Sequence, residues 1–204
     1  MILRLLSFSL AALLLLSCAE EEEGRLDESG FDGQTILDER TEKDNMFASS
    51  DDSPIPAPQR ASFSGLSYYA PDSNYCIDAD LEIFTSPDTV AMQTSIASDI
   101  RKALRIGKFS GMVKGSKVAL YAYTFMDGKS DQLFVPFTDK TSGFETYEAG
   151  RYLDVERHDD EDYILDFNRA YSPYCAYNSQ YACPLVPAEN RLPLSIRAGE
   201  KRWH

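Results

Sequence analysis

Histidine is scarce in this chain, with two among 204 residues, and no Cys-x-x-Cys pair occurs. The short cysteine spacings of common zinc sites are therefore missing, and so is the motif of a thioredoxin-like redox couple. His158 lies among acids in a predicted turn and His204 is the last residue, so neither is set to orient a catalytic base. With no Gly-x-Ser-x-Gly elbow either, Ser-His-Asp catalysis is disfavoured. No glycine-rich phosphate loop or dinucleotide fingerprint is present. Gly107, Gly111 and Gly115, spaced by four in a polar context, suit bends and turns. No metal and no cofactor is expected. Positive charge is sparse as well: 20 Lys and Arg stand against 33 Asp and Glu, a formal charge of −13. Nucleic-acid binding needs clustered Lys and Arg, so that partner class is excluded.

A membrane-spanning apolar run is also lacking. Residues 5–16 are predominantly apolar, but they are only twelve residues, preceded by Arg4 and followed by Ser17, Cys18, Ala19 and Glu20 to Glu23. A bilayer crossing needs about 20 apolar residues. A basic start, a short apolar core and a small residue before a cut describe a cleaved export signal. Leu15-Leu16-Ser17-Cys18 resembles the lipobox of bacterial lipoproteins, with Leu16 a mild departure. The resemblance implies removal of residues 1–17, lipid on Cys18 and a firm membrane hold through several acyl chains. Ala19 is not the Asp of inner-membrane retention, so the expected location is the outer membrane, facing the periplasm or the cell surface. The run Glu20 to Glu23 resembles an acidic surface-export tag and equally suits a solvated linker.

Residues 19–60 hold 13 acids against 4 bases, few aromatics and no sustained apolar period. Such composition leaves too little burial to offset chain entropy. Residues 18–60 are expected to form a disordered acidic stalk, extended by its own repulsion. Residues 61–204 are the size of one domain. No internal repeat is evident.

That domain reads as all-β, a sandwich or partly open barrel with long irregular loops. Residues 118–126 alternate, with Tyr121, Tyr123 and Phe125 on one face and Val118, Leu120 and Ala122 on the other. Residues 132–137 are the expected partner, through a turn at Asp127-Gly128-Lys129. A second hairpin is expected between residues 152–156 and 163–167. Residues 75–84 and 192–197 also alternate. Residues 90–108 are ambiguous between helix and strand, and strands are favoured.

Residues 136–201 are dense in specific polar groups. In order come Pro136-Phe137-Thr138-Asp139-Lys140-Thr141-Ser142-Gly143, Glu145-Thr146-Tyr147, Gly150-Arg151-Tyr152-Leu153 and Asp166-Phe167-Asn168-Arg169-Ala170-Tyr171-Ser172-Pro173. Cys175-Ala176-Tyr177, Cys183-Pro184, Glu189-Asn190-Arg191-Leu192-Pro193 and Ala198-Gly199-Glu200-Lys201 complete the block. Together they resemble the signature of a bacterial family, domain of unknown function 1684, extending back to around Ala61. Ala149 and Tyr174 depart from it, where Gly and Pro are expected. The resemblance implies a domain and no activity.

With Cys18 given to lipid, Cys175 and Cys183 are close enough in sequence for a local disulfide in an oxidising compartment, which leaves Cys76 as a buried thiol. Three functional readings compete. As a binding module, the tyrosines crowded between Tyr147 and Tyr181 offer flat apolar bodies with polar tips. Its candidate ligand-binding residues are Tyr147, Asn168, Arg169, Tyr171 and Asn190, and its partner a glycan, a small ligand or an envelope protein. As a hydrolase-like enzyme, Asp139, Glu145 and Asp166 would supply acid and base, with Arg151 holding an anion. Against this, Asp139 to Gly143 is what a tight turn wants, and Arg151 suits a buried ion pair with Asp166 or Glu145. A purely structural envelope protein needs no pocket. The binding module is the preferred expectation.

Overall fold

The computed structural model describes residues 31–128, 131–157 and 162–203. The expected export signal, Cys18, the glutamate run and both histidines lie outside them. Six strands, β1 (Cys76–Gln93), β2 (Ile100–Val113), β3 (Ser116–Phe125), β4 (Leu133–Phe137), β5 (Arg151–Val155) and β6 (Asp162–Asp166), form one antiparallel sheet. Its order is β5-β4-β3-β2-β1-β6, and it curls into a half-barrel. The all-β expectation holds, in its partly open form.

Alternation decides which face each strand buries. Ile77, Ala79 and Leu81 of β1, Val118, Leu120 and Ala122 of β3, and Leu133, Val135 and Phe137 of β4 point into one core. Curvature comes from register shifts in β1 between Ile83 and Asp88, and between β2 and β3 at Arg105/Gly107. Gly107 sits where the curl brings β1 closest: a Cβ there would lie 2.6 Å from the Glu82 carbonyl oxygen. It and Gly111 therefore serve the inside of a strand, not a turn.

The expected hairpin of residues 152–156 with 163–167 does not form. These segments are β5 and β6, at opposite ends of the sheet. Cys76 to Asp80 of β1 take β6 in register, and β4 takes β5. Sequence proximity is outweighed by the partners that the long strands offer. Residues 192–197 are not a strand either. Leu192, Ile196 and Ala198 do alternate inward and plug the concave core, but Pro193 has no N–H for a ladder, and the segment crosses the barrel mouth as irregular chain.

The stalk expectation fails over its described part. Residues Gly33–Ser49 form helix α1, capped by the Asp32 side chain on the amides of Gln34 and Thr35, and Ala57–Arg60 form a short α2. Ile36 and Phe47 are fully buried. Phe47 packs edge-on to Tyr177, centroids 5.1 Å apart, in a satellite core with Ile55, Phe63 and Trp203. The acids do not simply repel one another. Glu39 holds Arg169 through two hydrogen bonds, and Asp44 accepts from the Leu66 amide. Two apolar anchors and these pairings hold the helix on the domain.

Candidate functional site

The residues that sequence marks as catalytic serve three separate polar networks. Arg151 shares strand parity with Leu153 and Val155, so β5 turns it inward, where it is fully buried. Its guanidinium donates to Asp139 Oδ2 at 2.8 Å and to the carbonyl oxygens of Ile196 (2.8 Å), Glu200 (3.2 Å) and Ala198. Asp139 also accepts from the Thr141 amide. The buried ion pair is as expected, but its partner is Asp139, not Asp166 or Glu145. Planar fork geometry suits this work, since irregular backbone crossing a core needs donors for its carbonyls. The pair ties the C-terminal plug to the sheet and has no open face for a substrate.

Glu145 lies apart, in a two-pronged ion pair with Arg197 (Oε1 to Nη2, 2.8 Å), and accepts from Tyr69 Oη at 3.0 Å. Arg197 first, then Tyr69, hold its carboxyl below the usual range. Asp166 caps the turn Phe167–Arg169 and accepts from Asn168.

The expected ligand-binding residues divide. Asn168 is buried and spent on the backbone of Asp72. Asn190 is a sheet repair. β4 carries Pro136, which has no N–H, and Asn190 bonds both the amide and the carbonyl of Tyr121 and the carbonyl of Pro136 at 2.7–2.9 Å. Arg169 faces Glu39. Tyr147 meets Cys175 Sγ at 3.7 Å. Of these, Tyr171 alone lines the aromatic cavity beside α1.

That cavity, of about 630 Å³, lies on the outer face of the sheet. Outward positions of β3, β4 and β5 supply Phe125, Phe134, Tyr152 and Asp154, the C-terminal half of α1 adds Lys43 and Phe47, and Arg101, Tyr174, Tyr181 and Cys183 close the rim. The rings fix one another. Phe134 meets Tyr152 edge-on at 4.7 Å, Tyr152 meets Tyr171 at 5.7 Å, and Tyr174 meets Tyr181 at 5.3 Å. Tyr152 and Tyr171 also exchange backbone hydrogen bonds, which sets both side chains. Lys43 sits 5.2 Å from the Tyr171 ring centroid and pairs with buried Glu200 at 2.8 Å. Asp154 reaches solvent yet is surrounded by protein. That desolvation pushes its carboxyl pKa up, opposed by the 2.6 Å hydrogen bond from Tyr171.

Lys43, Arg101, Phe125, Phe134 and Asp154 escaped the sequence reading. Alternation along β4 and β5 carried the signal, because it separates Phe134, Tyr152 and Asp154 from the inward set. Among the described residues, no group of three or more His, Cys, Asp or Glu is placed to hold a metal.

The expected Cys175–Cys183 disulfide is not formed: both are thiols. Cys183 Sγ accepts instead from the Cys175 amide at 3.1 Å. A hydrogen bond from the Cys183 thiol, followed by one from Tyr147, pulls the Cys175 pKa down to about 6, against burial. Cys183, tied to that neighbour and buried, is pushed up.

The sequence profile of DUF1684, described as a protein of unknown function, matches residues 61–201. The chain belongs to the DUF1684 family. No protein with a curated description matches it. The DUF1684 domain is similar to the solution NMR structure of the uncharacterized protein from gene locus rrnAC0354 of Haloarcula marismortui. The two are 35% identical over 82% of this chain and 92% of that one, with a TM-score of 0.65. The half-barrel is thus shared with an uncharacterized protein.

Proposed function

We propose that this DUF1684 domain is a binding module, displayed from the outer membrane through lipid on Cys18, whose ligand sits in the aromatic cavity beside Tyr152 and Tyr171. The carrying observation is the cavity itself. Its volume falls in the range of small-molecule sites, about 300–1,000 Å³, and like them it combines apolar walls with a few convergent polar groups. Mutually packed rings give an unyielding floor, and Lys43, Arg101 and Asp154 stand where a ligand's polar edge would turn. A ring with one apolar face and hydroxyls at its rim fits best, which favours a glycan or a similar small amphipathic molecule. Among the described residues no helix is long and apolar enough to cross a membrane, which is compatible with a lipid anchor.

The test is a panel of mono- and oligosaccharides and simple aromatic acids, followed by amide shifts in NMR. Binders should perturb residues around Tyr152, Tyr171 and Tyr181. Tyr174→Ala, at a partly exposed rim position, should weaken binding about tenfold, or about 1.4 kcal/mol. Perturbations confined to the surface around Glu145 and Arg197 would remove the cavity from consideration. The anchor has its own readout: radioactive palmitate should label wild type and not Cys18→Ser.

A hydrolase reading keeps one supporting observation, the raised pKa of Asp154 inside the cavity. A general acid would then be Asp154, and Asp154→Asn would abolish any ester or glycoside turnover.

A further inference from the structure

We propose that Cys175 and Cys183 form a reactive dithiol at the rim of the aromatic cavity, with Cys175 as the attacking thiol and Cys183 as the resolving one. The inference does not depend on what the cavity binds. Cys175 lies in the turn Tyr174–Ala176 and is partly exposed, while Cys183 is buried and lines the cavity wall. The Cys175 nitrogen is 3.1 Å from Cys183 Sγ, which leaves the two sulfurs neighbours. Tyr147 Oη, 3.7 Å from Cys175 Sγ, stands ready to donate to a thiolate there.

Cys183 is also fixed in place. Its amide donates to Ser95 Oγ at 3.1 Å, its carbonyl accepts from the Ser95 amide at 2.8 Å, and Thr94 bridges Pro184. One sulfur therefore sits on a short turn, and the other on a segment hydrogen-bonded to the chain just after β1. Unequal exposure and unequal acidity divide the work: the more accessible and more acidic thiol attacks, and the buried one waits.

The co-reactant is a disulfide. Cys175, as thiolate, attacks one of its sulfurs, a mixed disulfide forms, and the other sulfur leaves as thiolate. Cys183 then gives its proton to water and attacks Cys175 Sγ, expelling the second sulfur. The protein loses two electrons and gains one S–S bond, and the incoming disulfide gains those electrons and becomes two thiols.

The test uses the full reduced chain with oxidised glutathione as probe and peptide mapping as readout. At pH 7, iodoacetamide should modify Cys175 at least about tenfold faster than Cys183. Oxidised glutathione should yield a Cys175–Cys183 cross-linked peptide that dithiothreitol reverses in the folded protein. Cys183→Ser should stop at a Cys175–glutathione adduct, and Cys175→Ser should give neither product. Faster labelling of Cys183, no cross-link in folded wild type, or a cross-link that resists dithiothreitol without unfolding would each overturn the proposal. The labelling ratio is measured on wild type, so it stands even if a variant fails to fold.

Discussion

Replacing Arg151 with methionine separates a structural role from a catalytic one. Methionine keeps much of the side-chain length and removes every donor. Four acceptors lose their partner: Asp139 Oδ2 and the carbonyl oxygens of Ile196, Ala198 and Glu200. Breaking a buried pair at one side typically costs about 3–5 kcal/mol, because the remaining charge has no compensation. At about 2–4 °C per kcal/mol for a chain of this size, the melting temperature should fall by about 6–20 °C.

Adding Asp139→Asn should recover a large part of the loss at pH 7, since it removes the stranded charge. Urea melts of wild type, the two single variants and the double variant at pH 7 provide the measurement. A cost under about 1 kcal/mol, or no recovery in the double variant, would refute the staple. Unchanged stability with ligand binding lost would return Arg151 to the functional surface.

Two other outcomes can be measured on the same footing. Asp154 has a raised pKa in the folded state, so wild type loses stability as pH rises through that value. Asp154→Asn should therefore melt higher than wild type at pH 7, with the gap closing toward pH 4, and a lower melting temperature at pH 7 would contradict the desolvation argument. Phe47→Ala should cost about 3–5 kcal/mol in denaturant melts, as expected for a fully buried aromatic truncated to alanine. A truly dispensable stalk would show no change.

The strands were legible because burial on one face writes period two into the sequence, as at Val118, Leu120 and Ala122. Pairing was not, since alternation says which face a strand buries and nothing about its neighbour; β5 and β6 look like a hairpin and sit at opposite sheet ends. In residues 192–198 the alternation was real and reported burial alone. α1 was hidden for the opposite reason. Its buried residues, Ile36 and Phe47, lie about three helical turns apart on one face. Two anchors in a field of acids make no periodic pattern, and the tertiary pairings of Glu39 and Asp44 decide the outcome. Asn190 had one available cue: a proline inside a buried strand leaves a missing donor, and a side-chain amide nearby is what fills such a gap.

The density of polar motifs between Asp139 and Glu200 follows from how this half-barrel is closed. A strand plugging the core would satisfy its own backbone through a ladder. An irregular plug cannot, so side chains must reach its carbonyls and amides from the sheet. Arg151 serves three carbonyls, Asn190 joins Tyr121 to Pro136, and Glu200 takes the Tyr177 hydroxyl, the Ser172 amide and Lys43. Chemically conspicuous residues are thus consumed by architecture. The aromatic cavity is walled instead by ordinary strand residues such as Phe125 and Phe134, which carry no motif at all. For a fold closed in this way, clusters of carboxylates and arginines report how the plug is held, and the proposed ligand cavity is read from the outward positions of the strands.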